Sequence, residues 1–285
     1  MSIEDRVSPT AAPPEPTDLD ALRTLIEGTR VPRRPGPVST SLTFGWRAML
    51  KIKHVPEQLF DVTVFPAIMT LMFTHLFGGA LAGSTEEYLQ FLLPGMIVMS
   101  VMMTTMYTGT ALNIDVHKGI FDRFRTLPIW RPSALVGALL GDLARYTMAS
   151  VVMVGLGLAM GYRPDGGALG VLGALGLLLV FSFSFSWIWT MFGLLMRSEK
   201  SVQSVSFAVV FPLVFTSNVF VDPDTMPGWL RACVEVSPIT HMVDAERALM
   251  DGTSAAGPVG WVLLWSAALT LVFGVATMRL YNGRR

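Results

Sequence analysis

Six long apolar stretches alternate with short polar segments along most of this chain. Each contains about 20 residues or more, the length that an apolar helix needs to cross the hydrocarbon core of a bilayer. We number them as spans one to six in chain order: Leu59–Leu81, Phe91–Leu112, Ala134–Gly161, Leu169–Met196, Val202–Val221 and Val259–Met278. The pattern predicts an all-α membrane protein with six transmembrane helices.

The lysines and arginines outside these stretches are sorted to one side of the predicted membrane. Seventeen lie before span one, in the second and fourth loops and after span six, whereas three lie in the other loops. Loops rich in Lys and Arg stay in the cytoplasm. Both termini are therefore expected to be cytoplasmic.

Composition agrees with a membrane protein and argues against several other classes. Hydrophobic residues make up 52% of the chain and charged residues 15%, which is too apolar for a soluble domain. The formal net charge of zero gives no reason to expect nucleic acid as a partner. Cys233 is the single cysteine, so an internal disulfide is excluded and no metal site is predicted.

The chain before span one divides into two parts. Residues 1–40 contain seven prolines and are expected to form a disordered cytoplasmic arm. Residues 41–56 are typical of an amphipathic connecting helix in the membrane interface, and a plain cytoplasmic surface helix is the alternative. Its apolar face carries Leu42, Trp46, Met49 and Leu50, and its basic residues are Arg47, Lys51 and Lys53. Residues 57–285 form the predicted six-span domain.

The cytoplasmic loop 113–132 combines aromatic and charged residues at helical spacing. Ile120, Phe121, Phe124 and Leu127 recur on one edge, and Asp122, Arg123 and Arg125 lie beside them. Such an edge suits docking into a groove on a second protein, with aromatic anchors and charges that fix the register. A helix lying flat on the lipid would show the same periodicity, so the spacing leaves both interpretations open.

Several segments of the chain resemble one family. They are Trp46–Lys51, Phe91–Gly95, Lys118–Ile129, Gly141–Arg145, Phe211–Leu213, Ser217–Val221, Met226–Leu230 and Ser237–Thr240. In this order and spacing they resemble the permease of ABC-2 type exporters, and more narrowly the daunorubicin/doxorubicin resistance branch of actinobacteria. The resemblance covers about residues 42–250. Many other branches of the family place acidic residues just before the glycine of the cytoplasmic loop, where this chain has His117 and Lys118.

The resemblance implies a half-transporter in the bacterial plasma membrane. Two copies of the permease and two copies of a separate ABC ATPase would export hydrophobic, anthracycline-like drugs. Residues 120–127 would form the coupling helix in the ATPase groove, and 222–250 would form short helices at the outer face. Export of a lipid or glycolipid is an alternative, and a non-transporting scaffold or intramembrane enzyme is an alternative of another class.

The ATPase that would drive transport is expected on another chain. None of the lysines lies in the G-x-x-x-x-G-K-[ST] pattern of a phosphate-binding loop. ATP and Mg²⁺ are therefore expected on the partner subunit, with no cofactor and no catalytic residue in this chain.

Two sets of residues inside the spans are candidates for function. Asp142 and Arg145 lie one turn apart in span three, where ionisable residues are costly. They either neutralise each other as an i, i+3 pair or transmit motion from the coupling loop. The methionines of span two share one helical face, which suits either substrate contact or helix packing; they are Met96, Met99, Met103 and Met106.

Overall fold

The computed structural model describes residues 36, 39–46, 56–81, 83–119 and 133–283, which form helices joined by short turns, with no strand among them. The all-α fold class is confirmed for this part of the chain. From Pro56 onward the described elements are α1 (Pro56–Leu81), α2 (Thr85–His117), α3 (Ser133–Met160), α4 (Gly167–Leu195), α5 (Glu199–Phe215), a 3-10 turn (Pro223–Thr225), α6 (Gly228–Val236), α7 (Pro238–Met250), α8 (Ala256–Leu269), a π-helical turn (Thr270–Gly274) and α9 (Val275–Gly283).

Four helical regions of the described chain are long and apolar enough to cross a membrane. They are α2, Leu135–Met160 of α3, α4, and the continuous region Ala256–Tyr281 that joins α8 to α9. The apolar part of α1 is shorter, Val64–Ala80, and α5 has 17 residues. Spans two, three, four and six are thus supported by length and composition. The count of six remains a prediction.

Span five ends earlier than its apolar pattern predicts. The helix α5 stops at Phe215, whereas the apolar stretch continues to Val221. The reason lies in Asn218, whose side chain donates to Asp244 and whose carbonyl oxygen accepts from Arg247. Asn218 is therefore held by α7, and the Phe220 carbonyl oxygen accepts from the Tyr88 hydroxyl of α2, so these residues do not continue the helix.

The helix α2 lies at the centre of the described structure and contacts α1, α3, α4, α5 and α7. It begins at the cap formed by Ser84, whose hydroxyl accepts from the Glu87 amide at 3.1 Å. It ends at His117, and Gly119, two residues later, adopts a φ of 65° that favours glycine. Of its 33 residues, 20 are buried, so this single helix supplies much of the core.

Two glycines let α2 and α4 approach each other closely. A Cβ atom on Gly109 would lie 2.5 Å from the Trp189 carbonyl oxygen, and one on Gly193 would lie 2.5 Å from the Gly109 carbonyl oxygen. The approach brings the Asn113 amide within 2.9 Å of the carbonyl oxygens of Gly193 and Met196, to which it donates. Residues 113–117, predicted as loop, are therefore the last part of α2, held against the end of α4.

Residues 39–46 form a helix that packs on α3 through small residues. A Cβ atom on Gly137 would overlap Phe44 and lie 2.9 Å from the Ser41 carbonyl oxygen. On the opposite side, Leu42 and Trp46 are 59% and 64% exposed. Arg47, Lys51 and Lys53 lie outside the described residues, so the interfacial position of this helix remains a prediction.

Contacts bring the start of α2, the α3–α4 loop and residues 220–250 to one end of the helices. The Gly166 amide donates to the Met250 carbonyl oxygen at 2.8 Å, and the Tyr88 hydroxyl donates to the Phe220 carbonyl oxygen at 3.2 Å. At the other end a separate apolar cluster joins α2, α3, α4 and α9, formed by Leu112, Leu135, Leu194 and Tyr281. The segments at the first of these ends adjoin the first, third and fifth loops, which are predicted to share one side of the membrane.

Candidate functional site

A cavity of about 640 Å³ lies between α1, α2 and α5. Its volume is in the range of pockets that hold drug-sized molecules. It is lined by Phe65 and Pro66 of α1, by Met103, Met106, Tyr107 and Thr110 of α2, and by Gln203, Ser204, Phe207 and Phe211 of α5. None of these lining residues is charged.

The lining combines aromatic rings, thioethers and a few neutral polar groups. Phe207 and Phe211 stack on each other with ring centroids 5.2 Å apart, and Phe65 and Tyr107 add two more rings. Aromatic faces favour planar apolar molecules through offset stacking, and Thr110 and Gln203 offer hydrogen bonds. The cavity is therefore suited to a flat hydrophobic compound with polar substituents.

The methionine face predicted from the sequence is divided between this cavity and the core. Met103 and Met106 line the cavity. Met96 and Met99, in the turns of α2 just before Met103, are buried among core side chains, and neither is among the cavity's lining residues. The difference arises because α2 is covered by different neighbours along its length, which a shared helical face does not reveal.

The helix α5 carries an exposed aromatic ladder that extends from the cavity. Phe207, Phe211 and Phe215 are 50%, 40% and 44% exposed, and Phe211 and Phe215 have ring centroids 4.3 Å apart. The ladder continues through Phe220 to Phe73 of α1, with centroid distances of 5.1 and 5.0 Å. An apolar face of this kind is suited to lipid or to a second protein chain.

Asp142 and Arg145 form the pair that the sequence predicts. The Arg145 Nη2 atom lies 3.1 Å from Asp142 Oδ1, and both side chains are about nine-tenths buried. The pair also belongs to a larger network that sequence reasoning missed. Thr108 of α2 donates to Asp142 Oδ2 at 2.6 Å and lies 2.9 Å from the Tyr146 hydroxyl, which lies 2.7 Å from the Ser186 hydroxyl of α4.

This network joins α2, α3 and α4 in the interior of the protein. Buried charges are tolerated when they are paired and hydrogen-bonded, and Asp142 meets both conditions. The Nη1 atom of Arg145 has no hydrogen-bond partner among the described residues. The coupling residues 120–127 lie outside the described residues, so a coupling role for this network remains a prediction.

A second polar cluster fixes the 222–250 segment to α2, and it too was missed from the sequence. Arg247 donates to the carbonyl oxygens of Phe91 at 3.1 Å and Asn218 at 2.8 Å. Its guanidinium lies 3.8 Å from the centroid of the Phe91 ring, and Asp244 is 4.0 Å away. Burial lowers the pKa of Arg247 to about 10, opposed by Asp244, and burial raises the pKa of Asp244. Side-chain partners on distant segments could not be read from helical spacing.

Comparison with known proteins places these features in a family. The family model of the ABC-2 type transporter matches residues 41–250, which include α1 to α7, the cavity and both polar clusters. This chain belongs to the ABC-2 type transporter family. The resemblance seen in the sequence is confirmed, and the chain is a membrane permease.

Individual relatives narrow the branch of ABC-2 permeases. The chain is 52% identical over 263 residues to the daunorubicin resistance ABC transporter permease protein DrrB1 of Streptomyces coeruleorubidus, covering 92% of this chain and 93% of that protein. It is 22% identical over 206 residues to the doxorubicin resistance ABC transporter permease protein DrrB of Mycobacterium tuberculosis, covering 70% of this chain and 71% of that protein. The chain is therefore homologous to one drug-resistance permease along nearly its whole length and to a second along 70% of it.

Proposed function

We propose that this ABC-2 permease is the membrane subunit of an ATP-driven exporter of hydrophobic drugs, such as anthracyclines, from a bacterial cell. The observation that carries the proposal is the uncharged, aromatic-lined cavity between α1, α2 and α5. Anthracyclines are flat polycyclic compounds with polar substituents, which is the chemistry that this lining accommodates. The relative with 52% identity is named for daunorubicin resistance, which agrees with this substrate class.

The active assembly in this proposal contains two permease chains and two ABC ATPase subunits, which bind ATP and Mg²⁺. Six spans place both termini in the cytoplasm, with the 120–127 residues docked in the ATPase groove. A two-fold assembly brings one surface of each copy to the axis. The ladder of Phe207, Phe211 and Phe215 is a candidate for that surface because it is aromatic and exposed, and the cavity would then open next to the second copy.

Transport in this scheme follows from two conformations that ATP binds with different affinity. ATP closes the ATPase dimer, and the coupling residues move with it. The displacement reaches α2 and α3, which the Asp142 network joins to α4. Because α2 also lines the cavity, its movement would change which side of the membrane the bound drug can reach.

Replacing Phe207 by Ala should weaken drug binding by about two- to tenfold, because one aromatic contact contributes about 0.5–1.5 kcal/mol. The measurement is quenching of doxorubicin fluorescence by the purified permease in lipid nanodiscs. Phe77→Ala is the matched control: Phe77 is similarly exposed and is not among the residues that line the cavity.

The control variant is expected to bind doxorubicin like the unmodified permease. If the unmodified permease, Phe207→Ala and Phe77→Ala bind doxorubicin equally, the drug binds outside this cavity. If doxorubicin does not bind at all while bacterial lipids or glycolipids stimulate ATP hydrolysis by the complex, the substrate class is a lipid.

A further inference from the structure

Glu246 of α7 is a buried carboxyl group with no compensating partner in the described structure. Its exposure is 0%, and neither carboxylate oxygen has a hydrogen-bond partner there. The adjacent Arg247 does not neutralise it, since that guanidinium is bound to the carbonyl oxygens of Phe91 and Asn218 and lies beside Asp244. An ionised carboxylate in such a place would carry a large desolvation cost.

The helices packed against α7 supply no cation to this site. They are α2, α4, α6 and α8, of which α4 and α8 contain no titratable side chain. Near its start α2 presents Tyr88, whose hydroxyl donates to Phe220, and the exposed Glu86 and Glu87. On α6 the titratable groups are exposed: Cys233, and Arg231 paired with Glu235 at 2.6 Å.

The titratable group that interacts with Glu246 is Tyr162, from the α3–α4 loop. Burial is the main cause that raises the pKa of Tyr162, and Asp251 and Glu246 add to it. The Tyr162 hydroxyl is itself buried without a hydrogen-bond partner among the described residues. A phenol near a carboxylate supplies no positive charge, so it leaves the charge of Glu246 uncompensated.

The ligand that can neutralise Glu246 must be very small. Both carboxylate oxygens are closed off from solvent, and the described residues contain no group of three or more side chains able to hold a metal ion. A proton needs neither an open path of molecular size nor further ligands. Burial alone raises the pKa of Glu246 to about 8, which agrees with a carboxyl group that stays protonated near neutral pH.

The surroundings connect the charge of Glu246 to the position of the 222–250 segment. One turn after Glu246, the Leu249 carbonyl oxygen lies against Gly166 and Gly170 of the α4 start, where a Cβ atom on either glycine would overlap it. The Gly166 amide also donates to the Met250 carbonyl oxygen at 2.8 Å. Because the Glu246 side chain is itself fully buried, water can reach a charge on it only if the packing of α7 loosens.

We propose that Glu246 is a proton-binding site, and that its bound proton keeps α7 packed against α2 and α4. Loss of the proton places a charge in the packed interface, and the 222–250 segment loosens so that water can reach it. The proposal does not depend on which compound the permease exports. In the proposed topology this segment faces outside, so the site would respond to the pH of the exterior.

The direction of the pH dependence follows from the raised pKa. Between the ordinary pKa of 4.5 and about 8, the packed state binds more protons at this site than a loosened state does. Its stability therefore falls as the pH rises through that window and changes little above it. The proton-bound form is the packed form.

Infrared spectroscopy and hydrogen exchange on the full-length permease in nanodiscs test the site. A protonated carboxyl band should be present at neutral pH and titrate near pH 8, and Glu246→Gln should remove it. Amide protection of α7, corrected for the intrinsic exchange rate, should fall at least about tenfold between about pH 6 and about pH 9. In Glu246→Gln, which keeps the shape and has no charge, protection should be independent of pH.

Glu235→Gln is the matched control, because Glu235 is an exposed glutamate in the same segment. This control should keep both the band and the pH-dependent protection. The proposal is overturned if Glu246→Gln and the unmodified protein show the same pH dependence. Should Glu246→Gln fail to fold, the titration of the unmodified protein decides alone: a glutamate-derived band titrating near pH 8 supports the site, and no protonated carboxyl at neutral pH overturns it.

Discussion

Arg145→Gln is expected to destabilise the permease by about 3–5 kcal/mol, because it breaks the buried ion pair between the Arg145 guanidinium and the Asp142 carboxylate. The Thr108 hydroxyl of α2 would still donate to that carboxylate, as it does at 2.6 Å in the unmodified protein. Asp142→Asn alone leaves the Arg145 guanidinium buried beside a neutral amide and should also lower the yield of folded protein. Yield after membrane extraction and thermal unfolding of the purified protein measure both effects.

The double variant Asp142→Asn, Arg145→Gln should regain most of the folding lost by either single change. The Asn oxygen can accept the hydrogen bond from Thr108, and neither side chain then carries an uncompensated charge. Arg231→Gln is a control for the loss of an ion pair, since Arg231 and Glu235 form an exposed pair that should contribute nothing measurable.

Drug export by the double variant distinguishes a structural role of the Asp142–Arg145 network from a coupling role. We expect the folded double variant to bind the ATPase and to export drug only in part, because the charges would also link the motion of α2, α3 and α4. Full recovery of export would remove both residues from the functional set. Complete loss of export with normal folding and ATPase binding would make the pair essential for coupling.

Phe121→Asp should abolish drug export while the permease still enters the membrane. An aromatic anchor at a binding hot spot contributes at least about 2 kcal/mol, so ATPase affinity should fall by about thirtyfold or more. The measurements are co-purification of the ATPase and drug accumulation in cells. Phe121→Leu keeps an apolar side chain and is the control, with binding and export expected to be largely retained.

The alternative for this loop, a helix lying on the lipid, gives a different result. Phe121→Asp would then leave ATPase binding unchanged, since the residue would contact acyl chains and not the motor. Normal co-purification together with normal export would contradict the coupling assignment.

Helix positions were predictable from the sequence wherever apolar length alone decides them. The ends of α4 and of the region Ala256–Tyr281 lie within three residues of the predicted ends because apolar residues dominate both helices. Prediction was poorer where polar residues find partners within the protein. The apolar pattern ends at Leu112 and predicts Asn113 as the first loop residue, yet Asn113 lies in α2 and donates to two carbonyl oxygens at the end of α4.

In the candidate sites, too, contacts within one helix were predictable from the sequence and contacts between helices were not. Asp142 and Arg145 pair as their i, i+3 spacing predicts, because both residues lie on one helix. Their bridge to Thr108 depends on how α2 and α3 are packed, which helical spacing does not contain. Likewise the burial of Glu246 comes from the neighbours of α7, whereas the resemblance in the sequence implies only that residues 222–250 form short helices.

The most direct test of the exporter account is ATP-driven uptake of doxorubicin into inside-out membrane vesicles. The vesicles carry the permease with its ABC ATPase partner, and matched vesicles carry either chain alone or an ATPase that cannot hydrolyse ATP. We expect drug to accumulate only when both chains and ATP are present, and more slowly with Phe207→Ala than with Phe77→Ala. Vesicles that contain the assembled, ATP-hydrolysing complex and take up no drug would contradict the account.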